Sequence, residues 1–237
     1  ARLKAQTQAR DDDDLPEGGI VAFFSLEMSA EQLATRLLSD FAQIEAHRIR
    51  TGDIKRDEYE RLLDASRTLQ TLPLHIDETG GISIDQLMAR ARRLKRTHGL
   101  DLLIIDYLQL VTASSRRSEG RVQEVSEITQ NLKALAKELK VPLIALSQLS
   151  RQVESRESHR PMLADLQESG SIEQDADMVL LLHRPELYDK CKPDDKGILY
   201  VGLAKHRQGG KEDVVRLKWQ PSLKRYGVET DRMEMEL

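Results

Sequence analysis

A single cysteine, Cys191, stands among the 237 residues, so neither an internal disulfide framework nor a cysteine-built zinc site is available within one chain. Aromatic residues make up only 4% of the chain, which leaves few stacking surfaces and a core of Leu, Ile, Val and Ala. No apolar run approaches the roughly 20 residues that a membrane span needs, and the opening Ala1-Arg2-Leu3-Lys4 lacks the apolar region of a signal peptide. Those absences predict a cytoplasmic protein with no membrane partner. Excess positive charge is missing too: 36 Lys and Arg against 40 Asp and Glu give a net charge of −4, so any nucleic-acid binding has to rest on local basic patches. There is no internal repeat, and the only low-complexity piece is the acidic run Asp11–Asp14.

The length suits one α/β domain, or one domain plus an appended lobe, with a sizeable core, and one domain is the simpler reading. The chain begins without Met, inside a stretch from Ala1 to about Ala9 that reads as a helix, and is expected to be a fragment. Asp11 to Gly19 combines acidic charge, Pro and paired Gly, which is the chemistry of a solvated loop. Ile20 to Phe24 then reads as a strand, and Ser29-Ala30-Glu31-Gln32 as a capping box opening a helix through Leu38. A helix from about Arg56 to Leu69 precedes a short strand, Leu74–Ile76, and a second capping box, Ser83 to Gln86, opens a basic helix to His98. Leu102–Ile105 and Pro142–Leu146 read as strands on either side of an amphipathic helix, Val122–Leu139. This alternation predicts a parallel sheet. Beyond a polar stretch, Met178–Leu182, Gly197–Ala204, Val214–Trp219 and Arg225–Val228 read as strands with short connections, so the sheet is expected to end in antiparallel hairpins.

In parallel sheets ligands lie beyond the carboxyl ends of strands, and polar residues placed directly after apolar strands mark four positions. Glu27, at a strand-to-helix turn, can accept a proton from an attacking water, although acidic residues near helix starts also simply complement the dipole. Asp106 ends a hydrophobic strand, where a carboxylate can hold the water shell of Mg²⁺, a pattern shared by many plain α/β domains. Ser147-Gln148 places an amide at a strand end, able to touch a phosphate oxygen or merely to be solvated. Lys205-His206-Arg207 puts two cations before Gln208-Gly209-Gly210, either a finger for a neighbouring subunit or a charged hairpin tip.

The order of these positions and the strings around them are more specific. Phe24–Ser29 (FSLEMS), Ile105–Leu110 (IDYLQL), Ala145–Ser150 (ALSQLS), Glu168–Asp177 (ESGSIEQDAD) and Ala204–Arg207 (AKHR) resemble the successive motifs of the DnaB family of bacterial replicative DNA helicases, in its C-terminal RecA-like ATPase domain. The resemblance runs from about Ile20 to Val228. It implies an α/β, RecA-like P-loop NTPase fold over residues 1–237 as a single motor domain, with a mostly parallel central sheet flanked by helices and antiparallel strands toward the C-terminus. It further implies ATP and Mg²⁺ as cofactors, a homohexamer, single-stranded DNA as a partner, and primase and a helicase loader as partners at the replication fork.

Residue by residue, the resemblance makes Glu27 the catalytic glutamate, Asp106 the Mg²⁺-associated aspartate, Gln148 the γ-phosphate-sensing glutamine, Lys205 and Arg207 a trans-acting finger pair, and Arg36 an arginine near the nucleotide. Its DNA-contacting loops fall on Ser114–Arg121 and Asp165–Ser171, with Arg116, Arg117, Arg121, Gln167, Glu168 and Gly170 as the residues at the DNA. Most family members carry Arg where this chain has Gln167, which removes one phosphate contact. Six copies of a small basic loop lining a channel would reconcile DNA binding with an acidic chain.

A string G-x-x-x-x-G-K-[ST], the phosphate cradle of such enzymes, occurs nowhere in the chain. The expectation is therefore a piece that starts after its P-loop, lacks the N-terminal primase-binding domain, and hydrolyses ATP poorly by itself. Two other readings stay open here. A RecA-type recombinase shares the strand-end carboxylates but forms open filaments, and the Glu168–Asp177 string points away from it. A non-catalytic DNA-binding and assembly module would account for the missing cradle.

Overall fold

The computed structural model describes residues 18–114, 120–166, 170–188, 191–209, 213–223 and 225–228. They divide into two compact units, one running to Gln148 and taking back Leu166–Ala176, the other holding Leu149–Asp165 and the chain from Asp177.

The first unit is built on a parallel sheet of β1 (Val21–Ser25), β2 (Leu74–Asp77), β3 (Leu102–Asp106) and β4 (Leu143–Ala145) in the order β2-β1-β3-β4. Parallel neighbours need crossovers, and helices supply them: α1 (Ala30–Ala42), α2 (Ala46–Thr51), α3 (Arg56–Thr71), α4 (Ile84–His98) and α5 (Arg121–Leu139). Both expected capping boxes form, at Ser29 with Gln32 and at Ser83 with Gln86. Helix α4 buries Ile84, Leu87, Met88 and Ala91, one face at i, i+3, i+4, i+7, and turns its basic residues outward, where Arg90 meets Asp77 at 2.6 Å and Arg92 meets Glu138 at 2.8 Å. The core joins this face to Phe24, Leu103 and Ile105 of the sheet and to Val125, Ile128, Leu132 and Leu135 of α5.

A smaller apolar cluster, Ala42, Ile44 and Ala65 with Leu38, Phe41, Ile49 and Leu62, ties α1, α2 and α3 together. Arg48 closes it, donating twice to Glu58 at 2.6 Å, while Glu58 also accepts the Lys55 N–H at 2.9 Å. The Arg48 hydrogen bonds, with that backbone donor, lower the Glu58 carboxyl to about 2. Helices α2 and α6 (Gly170–Asp175) have no counterpart in the sequence pattern. Each is only 6 residues long, too short for a periodicity to register. α6 packs on α5, where Thr129 Oγ1 donates to Asp175 at 2.6 Å.

The second unit is an antiparallel sheet of β5 (Met178–His183), β6 (Ile198–His206), β7 (Val214–Gln220) and β8 (Arg225–Val228), in chain order. The expected hairpins are there, but the four strands pair as a sheet of their own instead of ending the parallel one. Trp219 and Tyr226 face each other across β7 and β8, with the Arg184 guanidinium 5.1 Å from the Trp219 ring centre. Asp165, 1% exposed, is paired with Arg156 and accepts the Met162 N–H at 2.8 Å, so its charge is compensated where it is buried.

Candidate active site

The carboxyl ends of β1 and β3 lie side by side because Ser25 and Asp106 are register partners. Directly after β1 the chain turns: Leu26 N–H donates to the Asp106 carbonyl at 2.8 Å, and the buried Ser25 hydroxyl donates to the Met28 carbonyl at 2.7 Å. This turn hands the chain to the Ser29 cap of α1 and leaves Glu27 exposed at its apex. Glu78, just beyond β2, accepts the Ala30 N–H and braces the same helix start from the next strand.

Asp106 is half-buried, and the peptide bond that follows it, to Tyr107, is cis. Burial, and then the nearby Glu27 carboxylate, push the Asp106 carboxyl above its ordinary range, while the Arg36 guanidinium on α1 pulls it back down. Three charged residues from two distant stretches of the chain are thus electrostatically one group. Two carboxylates sharing a strand end with a single arginine form a charge set that a divalent cation would relieve. Among the described residues no three His, Cys, Asp or Glu side chains cluster as metal ligands, so Mg²⁺ here would draw its other ligands from water and phosphate, as this ion commonly does.

Gln148 reaches the same end of the sheet just beyond β4. Leu146 N–H donates to the Ile105 carbonyl and Leu108 N–H to the Leu146 carbonyl, both at 2.9 Å, so the chain beyond β4 runs beside the chain beyond β3. The Gln148 side chain is exposed there, and its backbone N–H donates to Gln109 Oε1 at 3.3 Å. Glu27, Arg36, Asp106 and Gln148 are therefore assembled within the first unit. Lys205 and Arg207 lie in the second, at the end of β6, where the Arg207 guanidinium meets Asp177 at 3.2 Å and remains half-exposed.

The candidate DNA residues divide differently. Arg116, Arg117, Gln167 and Glu168 lie outside the described residues. Arg121, the first residue of α5, donates to Glu124 at 2.6 Å and to the Gln109 carbonyl at 2.7 Å, an engaged position. Gly170 opens α6, exposed, with open space where a side chain would stand. Gln109 and Glu124 were not singled out by their types. The one available signal is an amide inside the apolar string Tyr107-Leu108-Gln109-Leu110.

Strand-end carboxylates on a parallel sheet, a glutamine at the next strand end and cations held on a separate hairpin define a RecA-like ATPase arrangement. Comparison with known proteins specifies it further. Residues 3–228 match the family described as DnaB-like helicase C terminal domain, and the chain belongs to that family. It is 55% identical over 205 residues to the replicative DNA helicase DnaB of Rickettsia prowazekii, covering 80% of this chain and 42% of that protein. Against the replicative DNA helicase DnaC of Bacillus subtilis it is 49% identical over 189 residues, covering 80% and 41%. Among solved structures, an ATPase domain aligns with a TM-score of 0.82 at 36% identity, over 87% of this chain and 73% of that one. A DnaB-like replicative helicase described with its interactions with primase aligns at 0.81 and 36%, over 87% and 50%. The chain spans about two fifths of the length of the curated relatives it matches. Among the described residues no helix is long and apolar enough to cross a membrane.

Proposed function

We propose that the protein carrying this chain is an ATP-dependent replicative DNA helicase and that the chain is its motor, converting ATP hydrolysis at the subunit interfaces of a homohexamer into movement along single-stranded DNA. The observation that carries the reading is the convergence of Glu27, Asp106 and Gln148 at one end of the parallel sheet. Family membership supports the choice of a replicative helicase over a RecA-type recombinase. The solved structure described with primase supports primase as a partner, and a helicase loader is proposed beside it at the replication fork in the cytoplasm.

In this mechanism Glu27, exposed in the turn after β1, orients a water and takes its proton. Asp106 would hold the hydration shell of Mg²⁺, which, when bound with ATP, would supply positive charge against the phosphates. Arg36 balances the two carboxylates, and the Gln148 amide reads whether a terminal phosphate is present. Arg207 and Lys205, from a neighbouring subunit, donate to the charge that builds on the transferred group. Arg116, Arg117, Arg121 and Gly170, with Gln167 and Glu168, meet the DNA backbone, and the Gln167 position supplies no cation.

The test is DNA-stimulated ATPase and strand separation by the full-length protein and by these 237 residues alone. Turnover and unwinding by the full-length protein, with little from the shorter chain, is the expected result. An inert full-length protein that still binds single strands would establish a binding and assembly module instead.

A further inference from the structure

Glu78 has no part in the chemistry described above, yet it holds the turn and the helix on which Glu27 and Arg36 stand. Glu27 is exposed, so its place is set by the backbone of the turn after β1 rather than by packing of its side chain. That turn is restrained from two sides. Toward β3, the Leu26 N–H donates to the Asp106 carbonyl at 2.8 Å, and the Ser25 hydroxyl ties the turn to its own strand through the Met28 carbonyl at 2.7 Å. Toward β2, the Glu78 carboxylate accepts the N–H of Ala30, the first residue of α1. A Cβ at Gly80 would stand 4.0 Å from the Leu26 carbonyl oxygen, so the loop after β2 runs alongside the turn itself.

The chain on either side of Glu78 is anchored. Asp77 Oδ1 accepts the Thr79 N–H at 3.0 Å, and Arg90 of α4 donates to Asp77 Oδ2 and to Thr79 Oγ1, both at 2.6 Å. Further on, the buried Ile82 accepts the Thr112 N–H at 3.1 Å, and the Ile84 N–H donates to the Thr112 carbonyl at 2.9 Å. Glu78 does not replace the cap of α1, because Ser29 and Gln32 already satisfy each other there. Its one bond to α1 instead joins the helix start to a different strand.

We propose that Glu78 is a positioning residue whose hydrogen bond to Ala30 sets where α1 begins, and with it the placement of Glu27 and Arg36 about Asp106. The inference rests on the reading of Glu27 as the general base. Without that bond the turn keeps its ties to β1 and β3 but loses its stop on the β2 side. A displacement of about 1 Å in such a group costs up to roughly 10²-fold in rate. Glu27 acts on the water in the transition state, so the effect falls on kcat and not on KM.

Glu78→Ala in the full-length protein tests it. Its DNA-stimulated kcat is expected to fall about 10- to 100-fold, with KM for ATP within about twofold of the wild type. Glu78→Gln keeps an oxygen for the Ala30 N–H and should stay within about threefold of the wild-type kcat. Ala30→Pro removes the donor instead and serves if Glu78→Ala does not fold. Proline suits the first helical position, and Ser29 before it is already extended at φ −68° and ψ 155°, so this variant should melt no lower than the wild type while losing kcat as Glu78→Ala does. In a Glu27→Gln background, Glu78→Ala should lower kcat by less than about twofold further, since both act through one carboxylate. Unchanged kcat in Glu78→Ala or in Ala30→Pro, a loss in Glu78→Gln as large as in Glu78→Ala, or additive losses with Glu27→Gln would each overturn the positioning role. Full turnover in Glu27→Gln would overturn the reading of Glu27 and the positioning role with it.

Discussion

The two units handle their strand ends in opposite ways. In the parallel sheet β1, β2 and β3 are each followed by crossover helices, and Glu27, Asp106 and Gln148 stand at or just beyond the carboxyl ends of β1, β3 and β4. In the antiparallel sheet β6, β7 and β8 are joined by short connections, and Lys205 and Arg207 stand at the carboxyl end of β6, the first within the strand and the second just beyond it. Burial differs as well. Ala22, Phe24, Leu103 and Ile105 of the parallel strands are all at most 3% exposed, whereas Met178, Leu180 and Leu182 of β5 are each more than half exposed. A sheet covered by helices positions groups to within hydrogen-bond tolerance. A hairpin sheet is suited to presenting a group outward.

The largest effect that could break this contrast is on turnover. Arg207→Ala is expected to lower kcat about 10³-fold or more, as trans-acting arginines do, and Glu27→Gln about 10²- to 10⁴-fold as the loss of a general base. Neither should unfold the protein. Mixing the two variants of the full-length protein should restore part of the ATPase, because some interfaces then pair an intact Glu27 with an intact Arg207; no recovery on mixing would place both residues at one subunit's own site.

Next in size is packing. Leu103→Ala, at 1% exposure, is expected to cost about 2–5 kcal/mol in denaturant unfolding. Leu180→Ala, at 55% exposure, should cost about 0.5 kcal/mol or less. Equal costs would show that the contrast in burial does not govern stability.

Two smaller effects follow from charge. Glu58 is depressed to about 2 in the folded protein, so it contributes stability above its unfolded value that is lost as pH falls through the folded one. Thermal melting of Glu58→Gln should therefore lie below that of the wild type at neutral pH, and the two curves should converge between about pH 4.5 and 2. Asp106 has the reverse sign: its carboxyl is raised by burial and by Glu27, so ionisation disfavours the folded state at neutral pH. Asp106→Asn should melt slightly higher than the wild type while losing ATPase, and a lower melting temperature would mean that the aspartate is a structural anchor.

The strands and long helices were legible because each carries enough residues for a period to show: Leu102–Ile105 and Met178–Leu182 as apolar runs, and the α1 and α4 starts as Ser-x-x-Gln boxes. The site was legible as types at strand ends, and as a family only through whole strings. The features without a sequence signal are short or nonlocal. Helices α2 and α6 span less than two turns each, and Arg156–Asp165 is a buried pair whose partners look like ordinary surface charges in the chain. Arg121 reads in the sequence as a cation for phosphate, and its pairing with Glu124 and with the Gln109 carbonyl depends on how α5 meets the turn after β3.

By itself the sequence determined where strands and helices form, which polar residues end the strands, and which family the motifs belong to, since these depend on hydrophobic period, capping chemistry and local strings. Only the tertiary structure decided that β1 and β3 are neighbours, that Glu27 raises the Asp106 carboxyl while Arg36 lowers it, that the antiparallel strands pair among themselves, and that Gln109 joins the β4 end to α5. Apart from the hairpin pairings, those are contacts between residues well separated in the chain, and nothing in a local pattern specifies them until strand order and register bring the chain together.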